Sequence, residues 1–207
     1  MKLINDYKDE VFLKEKGEYF FKLNKKIKII IDSKEDIKLI FLNENYNEDV
    51  EIYLNSSSSL FVYELSINSN SKKYIYQNKK NSKINYYHGN INKNKSDIVY
   101  KVIVNENNTE NNLSIHSLNL SKDKCDIEVI NNFKDQIISN TKQETIIYDI
   151  NGGINNIKPI LLVGSSNIIA NHSSFIGKFN KDKIHYIMSR GISKKDTYRL
   201  LINNFLR

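Results

Sequence analysis

The sequence has one cysteine, one proline, no tryptophan and only seven glycines among its 207 residues. Each scarcity excludes something. A lone thiol, Cys125, rules out an intrachain disulfide and therefore a stapled secreted scaffold. It also rules out a zinc or iron–sulfur site made only of this chain's thiolates. No stretch approaches the roughly 18 apolar residues that a membrane helix needs. The opening segment, MKLINDYKDEVFLKEKG, carries charges throughout and lacks the apolar core of a signal peptide. These absences predict a protein of a reducing compartment, cytoplasmic or in the stroma-like interior of a reduced organelle.

What is present is lysine, asparagine, isoleucine and tyrosine. The net charge of +7 raises an anionic partner. Lysine far outnumbers arginine, however, and bidentate reading of phosphate or guanine favours arginine. The same residue bias follows from mutational drift toward A and T, so the charge carries little weight on its own.

Short apolar runs recur from residue 27 onward: KIKIIID, IKLIFL (37–42), EIYL (51–54), SLFVYELSI (59–67), KYIYQ (73–77) and KINYYHG (83–89). DIVYKVIV (97–104), NLSIHSLNL (112–120), DIEVI (126–130), ETIIYDI (144–150) and IKPILLV (157–163) follow. They are rich in β-branched and aromatic residues and bounded by Asn, Ser and Asp, which predicts strands and turns. In the first run Ile27, Ile29 and Ile31 share a face away from Lys28 and Asp32. With glycine scarce, asparagine must supply left-handed turn positions. No helical periodicity separates the strands, so βαβ units are not expected. A sandwich, a barrel and a parallel solenoid all remain open on this pattern.

The last thirty residues differ. Asn180 is a suitable N-cap, with Phe179 and Ile184 placed as a hydrophobic staple, for a helix over 181–189 that ends at Gly191. Ser193, with Asp196 three residues on, caps a second helix along which Tyr198, Leu201, Ile202 and Phe205 form one apolar stripe. The stripe is expected to cap the β core, with a partner-facing role as the alternative.

This ending, from Lys158-Pro159-Ile160-Leu161 through Asn171-His172-Ser173-Ser174 and His185-Tyr186 to Ser189-Arg190-Gly191-Ile192, resembles the C-terminal region of the SufB/SufD family. Those proteins are scaffold subunits of SUF-type iron–sulfur cluster assembly. Gly177 also matches, Gln143 and Ile146-Ile147 fit loosely, and before about residue 110 only the strand pattern is compatible. The resemblance implies an all-β fold, a right-handed parallel β-helix over 27–177. Residues 1–26 would precede it, and a helical subdomain over 178–207 would cover its open end. It implies a non-catalytic scaffold subunit, docking a SufC-type ABC ATPase and pairing with a SufB-type subunit or with itself. A transient iron–sulfur cluster would assemble near that interface, with no membrane involved. The chain has no phosphate loop of its own. The Cys-Gly-Ala-His motif of SufB-type members is missing, its cysteine and histidine falling near Gly153 and Asn156. Asn171 and Ser173 replace the glutamates beside the SufB histidine, and Ala170 stands where SufD-like members often have cysteine. The pattern is thus a shortened, SufD-like one, lacking several coils or an N-terminal region.

His172 matches the SufD histidine, and an imidazole can join thiolates at an iron–sulfur centre, so it is the candidate metal and cluster ligand. A structural histidine is the plainer reading. Tyr186, Arg190, Gly191, Ile192, Tyr198, Leu201 and Phe205 are the candidate partner-binding residues. Arg190 is expected to hydrogen-bond carbonyls or an acid at the bend between the helices. Cys125 is either an exposed reactive thiol at a turn or, more simply, an inert small apolar residue. His88 and His116 receive no role, and His185 is expected at the surface or in cap packing. No Ser-His-Asp or Cys-His catalytic set is evident. Two rival functions stay open: a basic β-solenoid binding nucleic acid, with YIYQNKK (74–80) as its nearest aromatic-lysine stretch, and a β-helical carbohydrate-active enzyme.

Overall fold

The computed structural model describes residues 2–4, 9–164 and 166–206. Within them the chain winds back and forth between two parallel sheets. One sheet holds the odd-numbered strands β1 (Lys2–Ile4), β3 (Gly17–Leu23), β5 (Ile37–Glu44), β7 (Ser59–Ile67), β9 (Lys83–Asn92), β11 (Thr109–Asn119), β13 (Ser139–Asp149) and β15 (Ile168–Gly177). The other holds β2 (Glu10–Leu13), β4 (Ile27–Ile31), β6 (Val50–Leu54), β8 (Lys72–Gln77), β10 (Ser96–Val104), β12 (Lys124–Phe133) and β14 (Ile154–Leu162). Each strand hydrogen-bonds to strands two places away in sequence, the signature of a parallel β-solenoid. Of the three architectures that the strand pattern allowed, the solenoid is the one present.

Alternation sets the interior. Ile27, Ile29 and Ile31 are fully buried and stack in register on Val50, Ile52 and Leu54 of the next turn. The corners use asparagine as expected: Asn45, Asn68, Asn81 and Asn108 have φ of 52°, 55°, 58° and 55°. Stacked turns also let asparagines pair as ladders. Asn78 Nδ2 donates to Asn55 Oδ1 at 2.9 Å, and Asn105 Nδ2 donates to Asn78 Oδ1 at 2.7 Å. An abundance that composition alone attributes to drift is here structural.

Two expectations need correction. The solenoid starts upstream of residue 27, because β1, β2 and β3 already pair in its sheets. The run GEYFFKL puts Tyr19, Phe21 and Leu23 inside. The helices also do not cover the open end. Helices α1 (Lys181–Ser189) and α2 (Lys194–Phe205) lie on the outer face of the odd sheet, where Phe179, Ile184 and Phe205 cluster with Leu118, Ile146 and Tyr148. The physical reason is the outward alternation of β11 and β13. It turns apolar at those positions and offers the stripe a flank to bury against.

Candidate functional site

The helical caps form as their residues dictate. Asn180 Oδ1 accepts from the Asp182 and Lys183 amides at 2.7 and 3.3 Å. Ser193 Oγ accepts from the Asp196 amide at 3.1 Å and donates to its carboxylate at 2.6 Å. Between the helices Gly191 takes φ of 83°, a left-handed conformation that a side chain would strain.

The candidate docking residues divide into two groups. Phe205 is buried, and Tyr198 and Leu201 are half-buried in the same cluster, so these three fasten the helices to the sheet. His116 of β11 completes the joint: its ring stacks on Phe205 at 4.8 Å, and its Nδ1 donates to the Phe205 carbonyl at 2.6 Å. Tyr186 is 62% exposed, and Arg190 sits over its ring at 5.1 Å with Nη2 donating to its hydroxyl at 3.2 Å. The expected carbonyl or acid partner of Arg190 is thus a phenol. Gly191 is exposed, Ile192 half-buried and His185 exposed.

His172 lies on β15, the final strand of its sheet, and is exposed. It stands beside Gln143 of β13 in register, on the side that faces the interior in earlier turns. The Gln143 side chain is buried, and neither of its amide atoms has a hydrogen-bond partner. Around them the last turn is open: Ile154, Leu162, Ile169, Phe175 and Ile176 are 63%, 49%, 65%, 50% and 45% exposed. Unpaired parallel edges with apolar side chains are templates for further pairing. Among the described residues no three His, Cys, Asp or Glu gather as a metal site. His172 brings one imidazole, and thiolates would have to come from elsewhere.

Cys125 is fully buried, accepts from Asn92 Nδ2 at 2.9 Å, and has its thiol pushed up to about 11 by burial. That makes it the inert alternative. The nucleic-acid rival's aromatics are partly spent on each other, since Tyr76 stacks on Tyr53 at 4.3 Å.

Sequence reasoning missed a buried polar cluster in the middle turns. Glu64 accepts from Lys73 Nζ at 2.7 Å, Asn43 Nδ2 at 2.5 Å and the Tyr86 hydroxyl at 2.5 Å, all inside the solenoid. His88 donates from Nε2 to Ser66 Oγ at 2.6 Å, and its Nδ1 accepts from the Tyr100 hydroxyl. Burial holds the His88 imidazole down at about 4, with Glu64 opposing and Lys73 adding to the effect. Burial alone would raise the Glu64 carboxyl. Its electrostatic interactions with His88 and Lys73 and the donors around it more than reverse this, leaving it below the usual range. Parity was the available signal: Glu64 falls in step with inward Leu60 and Val62, and Lys73 with inward Ile75.

Comparison with known proteins points to the last turn and the helices. The family described as SUF system FeS cluster assembly, SufBD core domain, matches residues 136–205. The "Iron-sulfur cluster assembly protein SufD" of Bacillus subtilis (strain 168) is 40% identical over 48 residues, which cover 23% of this chain and 11% of that protein. The matched region holds β13 to β15, His172 and both helices. This C-terminal third, joined to a parallel β-solenoid, is similar to the SufB/SufD family.

Proposed function

We propose that the chain is a non-catalytic, SufD-like scaffold subunit of a SUF-type iron–sulfur assembly complex. In this reading it pairs with a SufB-type subunit through the uncovered edge of β14 and β15. It docks the SufC-type ATPase through the exposed side of the helical subdomain, with Tyr186 and Arg190 at its centre. The observation that carries the reading is the coincidence of the family match with the last turn, whose edge leaves Ile154, Ile169 and Phe175 exposed. His172 then stands where a partner's thiolates could complete a ligand set for the cluster under assembly, which is cargo rather than a resident cofactor. ATP-driven motion would reach that edge only through contacts that differ between the ATPase's two states.

Co-expression with the SUF ATPase and SufB-type subunit of the same organism, purified through a tag on this chain, tests the reading. Full-length protein is expected to recover both partners. Tyr186→Ala, on an exposed helical position, should lose the ATPase and keep the SufB-type subunit. Ile169→Arg should do the reverse. Recovery of neither partner by a folded preparation overturns the proposal. His172→Ala complexes that reconstitute clusters at the normal yield remove the ligand role.

A further inference from the structure

The outer faces of the two sheets are unlike. On the even sheet, one row across the strands runs Glu10, Lys28, Glu51, Tyr74, Lys101 in register and is largely charged, with Lys28 Nζ 2.6 Å from Glu10. On the odd sheet a corresponding row runs Lys22, Leu42, Leu65, Gly89, His116, Ile146, Phe175. The end of α2 covers this row at Ile146 and His116 and stops above Gly89. A Cβ built on Gly89 would lie 3.0 Å from the Leu206 carbonyl oxygen, so a side chain here would push the helix end outward by a few tenths of an ångström.

Past that point the row continues bare. Leu42 and Leu65 are each 40% exposed, and in the adjacent row Tyr63 and Tyr87, with rings stacked at 5.3 Å, are 40% and 39% exposed. Together with Phe20, Ile40 and Leu206 they line a cavity of about 370 Å³. The floor spans β3 to β9, three strand spacings or roughly 14 Å.

We propose that this groove is the docking site for one amphipathic α-helix of a partner protein, laid end to end with α2 along the same apolar band. Three observations select a helix. The band is continuous with a seat that already holds one, so the sheet presents the same chemistry on both sides of Gly89. Its bare length of roughly 14 Å along the band suits two to three turns of helix at about 5.4 Å each. The end of α2 stands about one helix diameter above the floor, a step that holds off the flat face of a second copy while leaving room for a helix beside it. The occupant reads as an apolar stripe at i, i+3, i+4 and i+7. This goes beyond the scaffold reading and does not depend on it, since the SufB-type edge and the Tyr186 surface are elsewhere.

The test uses the full chain with its own α2 in place. The probe is a fluorescein-labelled peptide of residues 193–206, which carries the required stripe. Saturable binding is expected, weakened about tenfold or more by Leu65→Arg and by Tyr63→Ser. Both positions point outward, and circular dichroism checks that the variants fold. Absence of saturable binding overturns the proposal. So does binding that Leu65→Arg leaves unchanged but Ile146→Arg abolishes, because the peptide has then only displaced α2. A dimer by light scattering that Leu65→Arg dissociates also overturns it and makes a second copy the occupant.

Discussion

The middle turns of the solenoid and its last turn put polar groups at the same kind of inward position, with opposite results. In the middle, Glu64, Lys73 and His88 are sealed among Asn43, Ser66, Tyr86 and Tyr100, and the chain satisfies its own charges. In the last turn, His172 occupies an inward register and remains exposed, while Gln143 beneath it has no partner for either amide atom. Inward charges are paired where strands lie on both sides, although Asn43 Oδ1, Asn111 Nδ2 and Asn131 Oδ1 there lack partners as Gln143 does. What sets the last turn apart is its edge strand β15, whose inward histidine is open to a second protein.

If the middle is sealed, breaking its ion pair should be the most damaging single change. Lys73→Met is expected to cost about 3–5 kcal/mol by urea denaturation, because it strands the Glu64 carboxylate in the core. The Lys73→Met, Glu64→Leu double variant should recover much of that loss. A single variant as stable as wild type would show that water reaches the cluster. Phe205→Ala comes next at about 3 kcal/mol, since it removes the ring that His116 and Tyr148 clasp. Loss of helix signal with the solenoid intact would mark the two regions as separate folding units.

Acid should sharpen the contrast. His88 is held at about 4 in the folded protein against an ordinary 6.5. The unfolded chain therefore binds the proton first as pH falls. Stability from this group is full above about 6.5 and declines toward pH 4, by roughly 2 kcal/mol at pH 5. Urea titrations of wild type and His88→Gln at pH 7 and pH 5 measure it, and equal pH dependence in both would clear His88. At the exposed end, His172→Ala should move stability by less than about 0.5 kcal/mol. A larger loss would mean that the last turn is knit into the fold after all.

Much of the fold was legible because the inward residues of each strand alternate cleanly, as in KIKIIID, and because the caps at Asn180, Gly191 and Ser193 are short-range chemistry. The strands β1 to β3 were overlooked, lying among charged residues where no single run stands out. β15 was hidden because its middle inward positions, Ala170, His172 and Ser174, are small or polar and interrupt the apolar alternation. In the candidate site, His172, Tyr186 and Arg190 were singled out through a resemblance. The Arg190 partner and the intramolecular use of Tyr198, Leu201 and Phe205 were not, since both depend on what lies opposite in space.

By itself the sequence determined strand content, asparagine-built corners, the two capped helices and an inert or reactive choice for one thiol. These follow from neighbours along the chain. Only the tertiary structure decided that the helices lie along the flank, that Cys125 is sealed, and that Glu64, Lys73 and His88 meet. Each joins residues from separate strands or turns, and side chains meet there because the turns stack in register and leave the final edge without a partner.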